Sequence, residues 1–152
     1  MSITLIRTDS DNPDFRALVA LLDEELRERD GDEHAFFAQF NKIDRINHVI
    51  VAYQDNNPAG CGAIKEYSPG IAEVKRMFVD PKFRRQGIAR LILSEIELWA
   101  RESAYSGCIL ETGIRNPEAI DLYQSSGYIR IPNYDQYIGV ESSVCMKKTL
   151  IP

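Results

Sequence analysis

The segment at residues 73–112 constrains the fold more than any other part of this sequence. A strand pattern at residues 73–79 is followed by helical spacing of apolar residues over 86–103 and by a short apolar strand at 107–112. A strand, a helix and a second strand in succession normally give parallel pairing of the two strands. We therefore predict a parallel pair in the middle of the sheet.

The first half of the chain has an antiparallel pattern instead. Asn12-Pro13 predicts a helix start, because asparagine caps a helix and proline fits its first position, and Gly31 predicts the end of that helix. A second, short helix is expected at residues 34–40. The predicted strands of this half are 3–7, 47–53, 61–67 and 73–79, with connecting turns at 56–60 and 69–70.

The second half contains another helix start at Asn116-Pro117, with Gly127 as its end and final strands at residues 128–131 and 143–148. The predicted fold class is therefore α/β, with a mixed, mostly antiparallel sheet of about seven strands, four helices and a central parallel pair. We expect a single domain over residues 1–152, since this length is usual for one domain.

The composition argues against several classes of function. The net charge of −5 disfavours nucleic acid as the main partner. No apolar run is long enough to cross a membrane and the amino terminus lacks the pattern of a signal peptide, so we expect a cytoplasmic protein without membrane contact. Cys61, Cys108 and Cys145 lack the spacing of a zinc site or a disulfide framework, so we expect reduced packing residues.

A basic segment at residues 75–90 stands out in this acidic chain, because it holds six Lys and Arg residues and a single acid, Asp80. Gly87 lies where the predicted strand leads into the helix, and the small Ala89 keeps the helix entrance open. The first N–H groups of a helix lack internal partners and carry the positive end of its dipole, so they bind anions well. The segment also fits a plain turn with solvated arginines. It lacks the glycine patterns of an ordinary P-loop or a Rossmann nucleotide site.

Two motifs resemble the GNAT superfamily of N-acetyltransferases, and residues 73–79, 110–113 and 143–145 resemble a bacterial subgroup of its small members. Residues 84–89 are similar to the family signature [RQ]-x-x-G-x-[GA], and residues 116–128 are similar to its N-x-x-A-x-x-L-Y-x-x-x-G-[FY] helix. The resemblance implies acetyl-coenzyme A as cosubstrate, with its pyrophosphate on the backbone amides of the first motif and its pantetheine arm along the preceding strand. The coenzyme-binding residues that it implies are Met77, Val79, Arg84, Arg85, Gln86, Gly87, Ile88, Ala89 and Asn116.

Amine acetylation needs a neutral amine, a stabilised oxyanion, and a proton or hydrogen bond for the departing thiolate. The resemblance places Tyr123 beside the coenzyme sulfur, and a phenol with an ordinary pKa near 10 stays protonated at neutral pH and can donate. Spacing alone would make Tyr123 a core aromatic. Glu73 is the candidate base, because many histone-type family members carry a glutamate at this place on the strand, and counting by two puts it on one face with Met77 and Val79. Glu111 and ordered water are the alternatives to Glu73.

The predicted function is transfer of the acetyl group of acetyl-coenzyme A to a primary amine of a small molecule. Two alternatives stay open: a regulatory module that binds acyl-coenzyme A without catalysis, and an acetyltransferase of peptides or proteins. The candidate walls of the acceptor site are His34, Phe37, Tyr134 and Tyr137. The acidic composition mildly favours a cationic amine. We expect a monomer or homodimer that uses no metal.

Overall fold

The computed structural model describes residues 2–38 and 45–150. Its strands are β1 Ile3–Thr8, β2 His48–Gln54, β3 Asn57–Ser68, β4 Ile71–Val79, β5 Gly107–Gly113, β6 Ile129–Ile131 and β7 Ser143–Thr149. Its helices are α1 Pro13–Asp30, the five-residue α2 His34–Ala38, α3 Ile88–Glu102 and α4 Pro117–Ser125. The seven strands form one sheet in the order β1-β2-β3-β4-β5-β7-β6.

The sheet is mixed, as the sequence predicts. Antiparallel pairs join β1 to β2, β2 to β3, β5 to β7 and β6 to β7. β4 and β5 run parallel, with Ile71 opposite Gly107 and Glu73 opposite Ile109. The predicted α/β class and its central parallel pair are therefore confirmed.

The capping pattern at the start of α1 is also confirmed. The side-chain oxygen of Asn12 accepts hydrogen bonds from the backbone N–H groups of Asp14 and Phe15 at 2.8 and 3.0 Å, and such a cap contributes about 1 kcal/mol. Gly31 ends the helix with a φ of 54°. One face of α1 packs into an apolar core formed by Phe15, Leu18, Val19, Leu22, Ile46, Val49, Val51, Cys61, Ala63 and Phe78.

The predicted turn at residues 56–60 is wrong. The chain reverses at Asp55 and Asn56, whose φ angles are 49° and 70°, and β3 begins at Asn57. A two-residue loop with both residues left-handed matches the twist of the two strands, and Asp and Asn tolerate this conformation. Pro58, which suggests a turn, lies in β3 opposite Tyr53, beside a shift in the pairing register where a missing N–H is tolerated.

The starts of two further elements differ from the predictions, and the end of a third is not described. The helix predicted at 86–103 begins only at Ile88, because Arg85 and Gly87 have left-handed φ angles of 66° and 79° that an α-helix cannot contain. The strand predicted at 128–131 begins at Ile129. The helix predicted at 34–40 is present to Ala38, and its last two positions lie outside the described residues.

β4 is irregular at Arg76, whose φ is 61°. A left-handed residue inside a strand interrupts the alternation of side chains between the two faces. Burial nevertheless alternates along β4 across Arg76 as far as Phe78, and the shared face of Glu73, Met77 and Val79 stays a prediction. The Arg76 side chain is buried and donates to the Asp23 carboxylate at 2.8 Å, which ties the irregular position to α1.

The described residues cluster in two compact units. The first lies within Met1–Lys65 and Lys75–Ile96, and the second lies within Glu66–Val74 and Glu97–Pro152. Strands β3 and β4 and helix α3 contribute residues to both units. The single domain over residues 1–152 stays a prediction. None of the helices in the described ranges is long and apolar enough to cross a membrane.

Candidate active site

The loop between β4 and α3 lies in the first unit and has the shape expected of an anion site. Asp80 caps a short 3-10 turn, since its carboxylate accepts from the backbone N–H of Lys82 at 3.0 Å. Arg85, Gln86 and Gly87 are exposed, and a Cβ atom on Gly87 would meet nothing within 4 Å. Ile88 then buries its side chain and begins α3. The first backbone N–H groups of α3 therefore start at an exposed bend that leaves room for a ligand.

Arg84 differs from the other basic residues of this loop. Its Nε donates to the backbone carbonyl of Val79 at 2.8 Å, and its terminal nitrogen lies 3.0 and 3.1 Å from the two carboxylate oxygens of Glu25. Its guanidinium also lies over the ring of Phe78, 5.5 Å from the ring centre. The structure thus directs the predicted coenzyme residue Arg84 toward the protein, whereas Arg85 is exposed.

Met77 and Val79, the predicted contacts of the pantetheine arm, pack close to β3 in the first unit. A Cβ atom on Gly62 would lie 2.6 Å from the Met77 sulfur, and one on Gly60 would lie 3.2 Å from a Val79 methyl group and 3.0 Å from Ile92 of α3. The two glycines therefore allow α3 and the end of β4 to approach β3. This close packing fixes the end of β4 from which the loop departs.

Tyr123 lies in the second unit and is 5% exposed. Its ring packs edge-on against Tyr128 at 5.7 Å between centres. Burial, and then the charge of Glu111, raise the pKa of the Tyr123 phenol, so it stays protonated well above neutral pH. Asn116 starts the same helix, and its side-chain oxygen accepts from the N–H of Ala119 at 3.2 Å.

Glu73, the predicted base, is bound by a tyrosine in the same unit. The hydroxyl of Tyr134 donates to a Glu73 carboxylate oxygen at 2.7 Å. The Tyr134 ring also packs edge-on against Tyr67 and Tyr137, with centres 5.3 and 5.6 Å apart. Burial, and then the Glu73 carboxylate, raise the pKa of Tyr134. Tyr134 is therefore a neutral donor that holds the Glu73 carboxylate in one orientation.

Glu111, the rival base, belongs to the same group of side chains. Ser143 donates its hydroxyl to a Glu111 carboxylate oxygen at 2.8 Å. Burial raises the pKa of Tyr137, and the charges of Glu111 and Glu73 raise it further, so both carboxylates act on one phenol. We call this set the tyrosine–carboxylate cluster; its members are Tyr67, Glu73, Glu111, Tyr123, Tyr134, Tyr137 and Ser143.

The sequence identified most of the tyrosine–carboxylate cluster but missed two members. Tyr67 appears in the sequence only as the last residue of a predicted strand, and Ser143 only as the first residue of another. Tyr134 and Tyr137, which are candidate acceptor walls, do lie together. His34 and Phe37, the other two candidate walls, lie in the first unit, where Phe37 packs edge-on against Phe36.

The cysteines do not supply a nucleophile or a metal site. All three are free and buried. Burial raises the pKa of Cys61 to about 12 and that of Cys108 to about 11, and it also raises the pKa of Cys145. A thiol with a raised pKa is protonated and unreactive at neutral pH. In residues 2–38 and 45–150, no group of three or more His, Cys, Asp or Glu residues is placed to hold a metal ion.

Comparisons with known proteins identify the family of this chain and agree with its fold. A family model described as "Acetyltransferase (GNAT) family" matches residues 12–128. An IAA acetyltransferase from Azospirillum brasilense is 37% identical over 102 residues, which cover 66% of this chain and 67% of that protein. The crystal structure of a candidate acyl-CoA N-acyltransferase from Klebsiella pneumoniae matches with a TM-score of 0.82 at 27% identity, over 98% of each chain.

A second similar structure carries a ligand. The GNAT family acetyltransferase from Elizabethkingia anophelis, with acetyl-CoA bound, matches with a TM-score of 0.69 over 97% of this chain and 98% of that one. At 19% identity this match shows the fold alone. The family match over residues 12–128, with the fold and the two motifs, establishes that the chain belongs to the acetyltransferase (GNAT) family.

Proposed function

We propose that this protein transfers the acetyl group of acetyl-coenzyme A to a primary amine of a small molecule by direct attack, with Tyr123 as the general acid. The observation that carries the proposal is the Tyr123 hydroxyl. It belongs to a buried tyrosine whose raised pKa keeps the phenol protonated, and that tyrosine is part of a cluster with two carboxylates. Family membership supports the choice of acyl donor.

The β4–α3 loop supports the proposed binding of coenzyme A. Its exposed bend leads into the start of α3, where backbone N–H groups suit a pyrophosphate. Arg85 and Gln86 are exposed beside those groups and can add charge and hydrogen bonds. Asn116 remains a proposed contact through its amide nitrogen, since its oxygen caps α4.

The proposed reaction forms one bond and breaks another. The neutral amine attacks the thioester carbonyl, the N–C bond forms, and the C–S bond breaks to release coenzyme A. The amine proton passes to Glu73, with Glu111 or water as the rival acceptor, and the Tyr123 hydroxyl donates to the departing sulfur. Because its pKa is raised, Tyr123 stabilises the thiolate chiefly by a hydrogen bond that strengthens as charge develops on the sulfur.

An amine-panel assay that follows free thiol release from acetyl-coenzyme A tests this function. The panel contains small primary amines, neutral alcohols of matched size, and peptides with free amino groups. Turnover of small amines that depends on the Tyr123 hydroxyl supports the proposal. Turnover of peptides alone would favour a peptide acetyltransferase, and coenzyme binding with no turnover of any amine would favour a regulatory binding module.

A further inference from the structure

Helix α1 reaches β4 and the loop after it through two of its carboxylates. Asp23 binds the guanidinium of Arg76 at 2.8 Å, at the left-handed position of β4. Two residues further along α1, Glu25 binds the guanidinium of Arg84 at 3.0 Å, at the loop. Both contacts lie within the first unit, so one helix holds the strand and the loop at separate points.

The contact at the loop is the more informative one. Arg84 bridges from Val79, the last residue of β4, to Glu25, and its guanidinium lies over Phe78. It thereby closes the short chain segment between the strand end and residue 84. Arg85 follows immediately with a φ of 66°, which costs conformational free energy in a residue other than glycine. The fixed Arg84 holds the backbone in place just before this strained step.

We propose that Glu25 and Arg84 are positioning residues for coenzyme binding, and that Arg84 is not a phosphate ligand. Glu25 holds Arg84, Arg84 holds the end of β4, and together they fix the loop in the shape that presents its N–H groups. Arg85, which is exposed, is the arginine that faces the ligand. This inference rests on the proposed binding of coenzyme A at the loop.

The two possible roles of Arg84 predict opposite changes in coenzyme A affinity when the charge of Glu25 is removed. If Arg84 were a phosphate ligand, loss of the Glu25 charge would release its guanidinium and remove a nearby negative charge, so coenzyme A would bind more tightly. If Arg84 positions the loop, loss of the Glu25 charge makes the loop less ordered. Coenzyme A must then order the loop when it binds, and this entropic cost weakens binding. The two roles therefore give opposite changes in the dissociation constant.

Calorimetric titration of Glu25→Gln with coenzyme A measures this sign without any acetyl transfer. Glu28→Gln is the matched control, because Glu28 is exposed on the same helix and its change alters the net charge equally. We expect Glu25→Gln to weaken binding about five-fold or more, with Glu28→Gln close to the unchanged protein. Tighter or unchanged binding in Glu25→Gln would overturn the inference.

Arg84→Lys and Arg84→Met provide an independent measurement. Lysine keeps the charge of arginine but lacks its planar, forked guanidinium. If Arg84 is a positioning residue, both variants should weaken coenzyme A binding similarly. If Arg84 is a phosphate ligand, Arg84→Lys should bind coenzyme A nearly as well as the unchanged protein. The salt dependence of the dissociation constant should stay unchanged in both variants and become shallower in Arg85→Ala. A shallower salt dependence in Arg84→Met would contradict the inference.

Variants of the loop itself test whether coenzyme A binds there, independently of the role of Glu25. If Arg85→Ala and Gly87→Asp both leave coenzyme A affinity unchanged, the loop is not the coenzyme site and both proposals fail. If Gly87→Asp weakens binding while Glu25→Gln does not, only the positioning role fails.

Discussion

The β4–α3 loop and the tyrosine–carboxylate cluster are built in opposite ways. The loop is one short run of chain, and its proposed ligand groups are backbone N–H groups whose direction depends on the φ angles of Arg85 and Gly87. The cluster consists of side chains that lie far apart in sequence. Glu73 and Tyr134 are 61 positions apart, and Glu111 and Ser143 are 32 apart. A backbone site should therefore be sensitive to conformation, and a side-chain site to single functional groups.

The largest effect is expected in the cluster, for Tyr123→Phe. The ring and its packing on Tyr128 remain, but the hydrogen bond to the departing sulfur disappears. General acid assistance is worth about 10²–10⁴-fold in rate, so turnover should fall by that range. The dissociation constant of coenzyme A should change little, because the lost interaction matters mainly in the transition state. Steady-state kinetics and calorimetry on the same variant measure both quantities.

Tyr128→Phe is the control for this prediction. It removes a second buried hydroxyl from the adjacent ring while leaving the proposed acid intact. We expect nearly normal turnover and at most a small change in melting temperature. Full activity in Tyr123→Phe, or an equal loss in the two variants, would remove Tyr123 from the mechanism and leave the fold and family unaffected.

The sequence predicted the loop far better than the contacts around it. The strand, the glycine and the following helix are local features, and the cap at Asn116 is another, so each could be predicted from neighbouring residues. The contact between Arg84 and Glu25 spans 59 positions. It depends on how α1 packs on the sheet, and no local pattern contains that information.

In the tyrosine–carboxylate cluster, too, the sequence predicted single residues better than the contacts between them. Tyr123 and Glu73 were predictable as chemical candidates because a family motif and a strand position mark them. The hydrogen bonds of Tyr134 and Ser143 to the two carboxylates were not predictable, since they depend on the order β5-β7-β6 and its register. The irregular φ of Arg76 also escaped prediction, because arginine is not a residue type that marks left-handed positions.

The second prediction concerns which carboxylate of the cluster takes the amine proton. If Glu73 is the base, Glu73→Gln should lower kcat/KM about 10²-fold at neutral pH and remove or shift the acidic limb of the pH profile. Glu111→Gln is the matched variant, since it makes the same chemical change at the other carboxylate. Loss of the limb in Glu111→Gln alone would assign the base to Glu111, and an unchanged limb in both would assign it to water.

The third prediction concerns the backbone of the loop. Gly87→Asp introduces a side chain at a φ of 79° and a negative charge beside the proposed pyrophosphate. Left-handed strain of about 1–2 kcal/mol alone corresponds to roughly 5–30-fold in affinity, and the charge adds to it. Gly87→Asn has the same shape without the charge and tolerates the left-handed region better. Equal coenzyme affinity of the two variants, measured by calorimetry, would argue against an anion at this position.

The smallest effect at neutral pH is expected from the buried thiols, one of which lies in the first unit and another in the second. Burial raises the pKa of Cys61 from 9.0 to about 12 and that of Cys108 from 9.0 to about 11. Above pH 9 the unfolded chain therefore loses these protons while the folded chain keeps them. The resulting stabilisation of the unfolded state lowers the free energy of unfolding as the pH rises.

Urea unfolding of Cys61→Ala and Cys108→Ala from pH 7 to pH 11.5 separates the two contributions. Each substitution has a constant cost from lost packing, so the informative quantity is the pH dependence relative to the unchanged protein. At pH 10 each thiol should account for about 1 kcal/mol of alkaline destabilisation, and at pH 8 for almost none. The Cys108 contribution should level off near pH 11, whereas that of Cys61 should continue to grow, because the Cys61 thiol has the higher pKa. Parallel curves for a variant and the unchanged protein would show that its thiol titrates alike in the folded and unfolded chain, and that burial does not govern its ionisation.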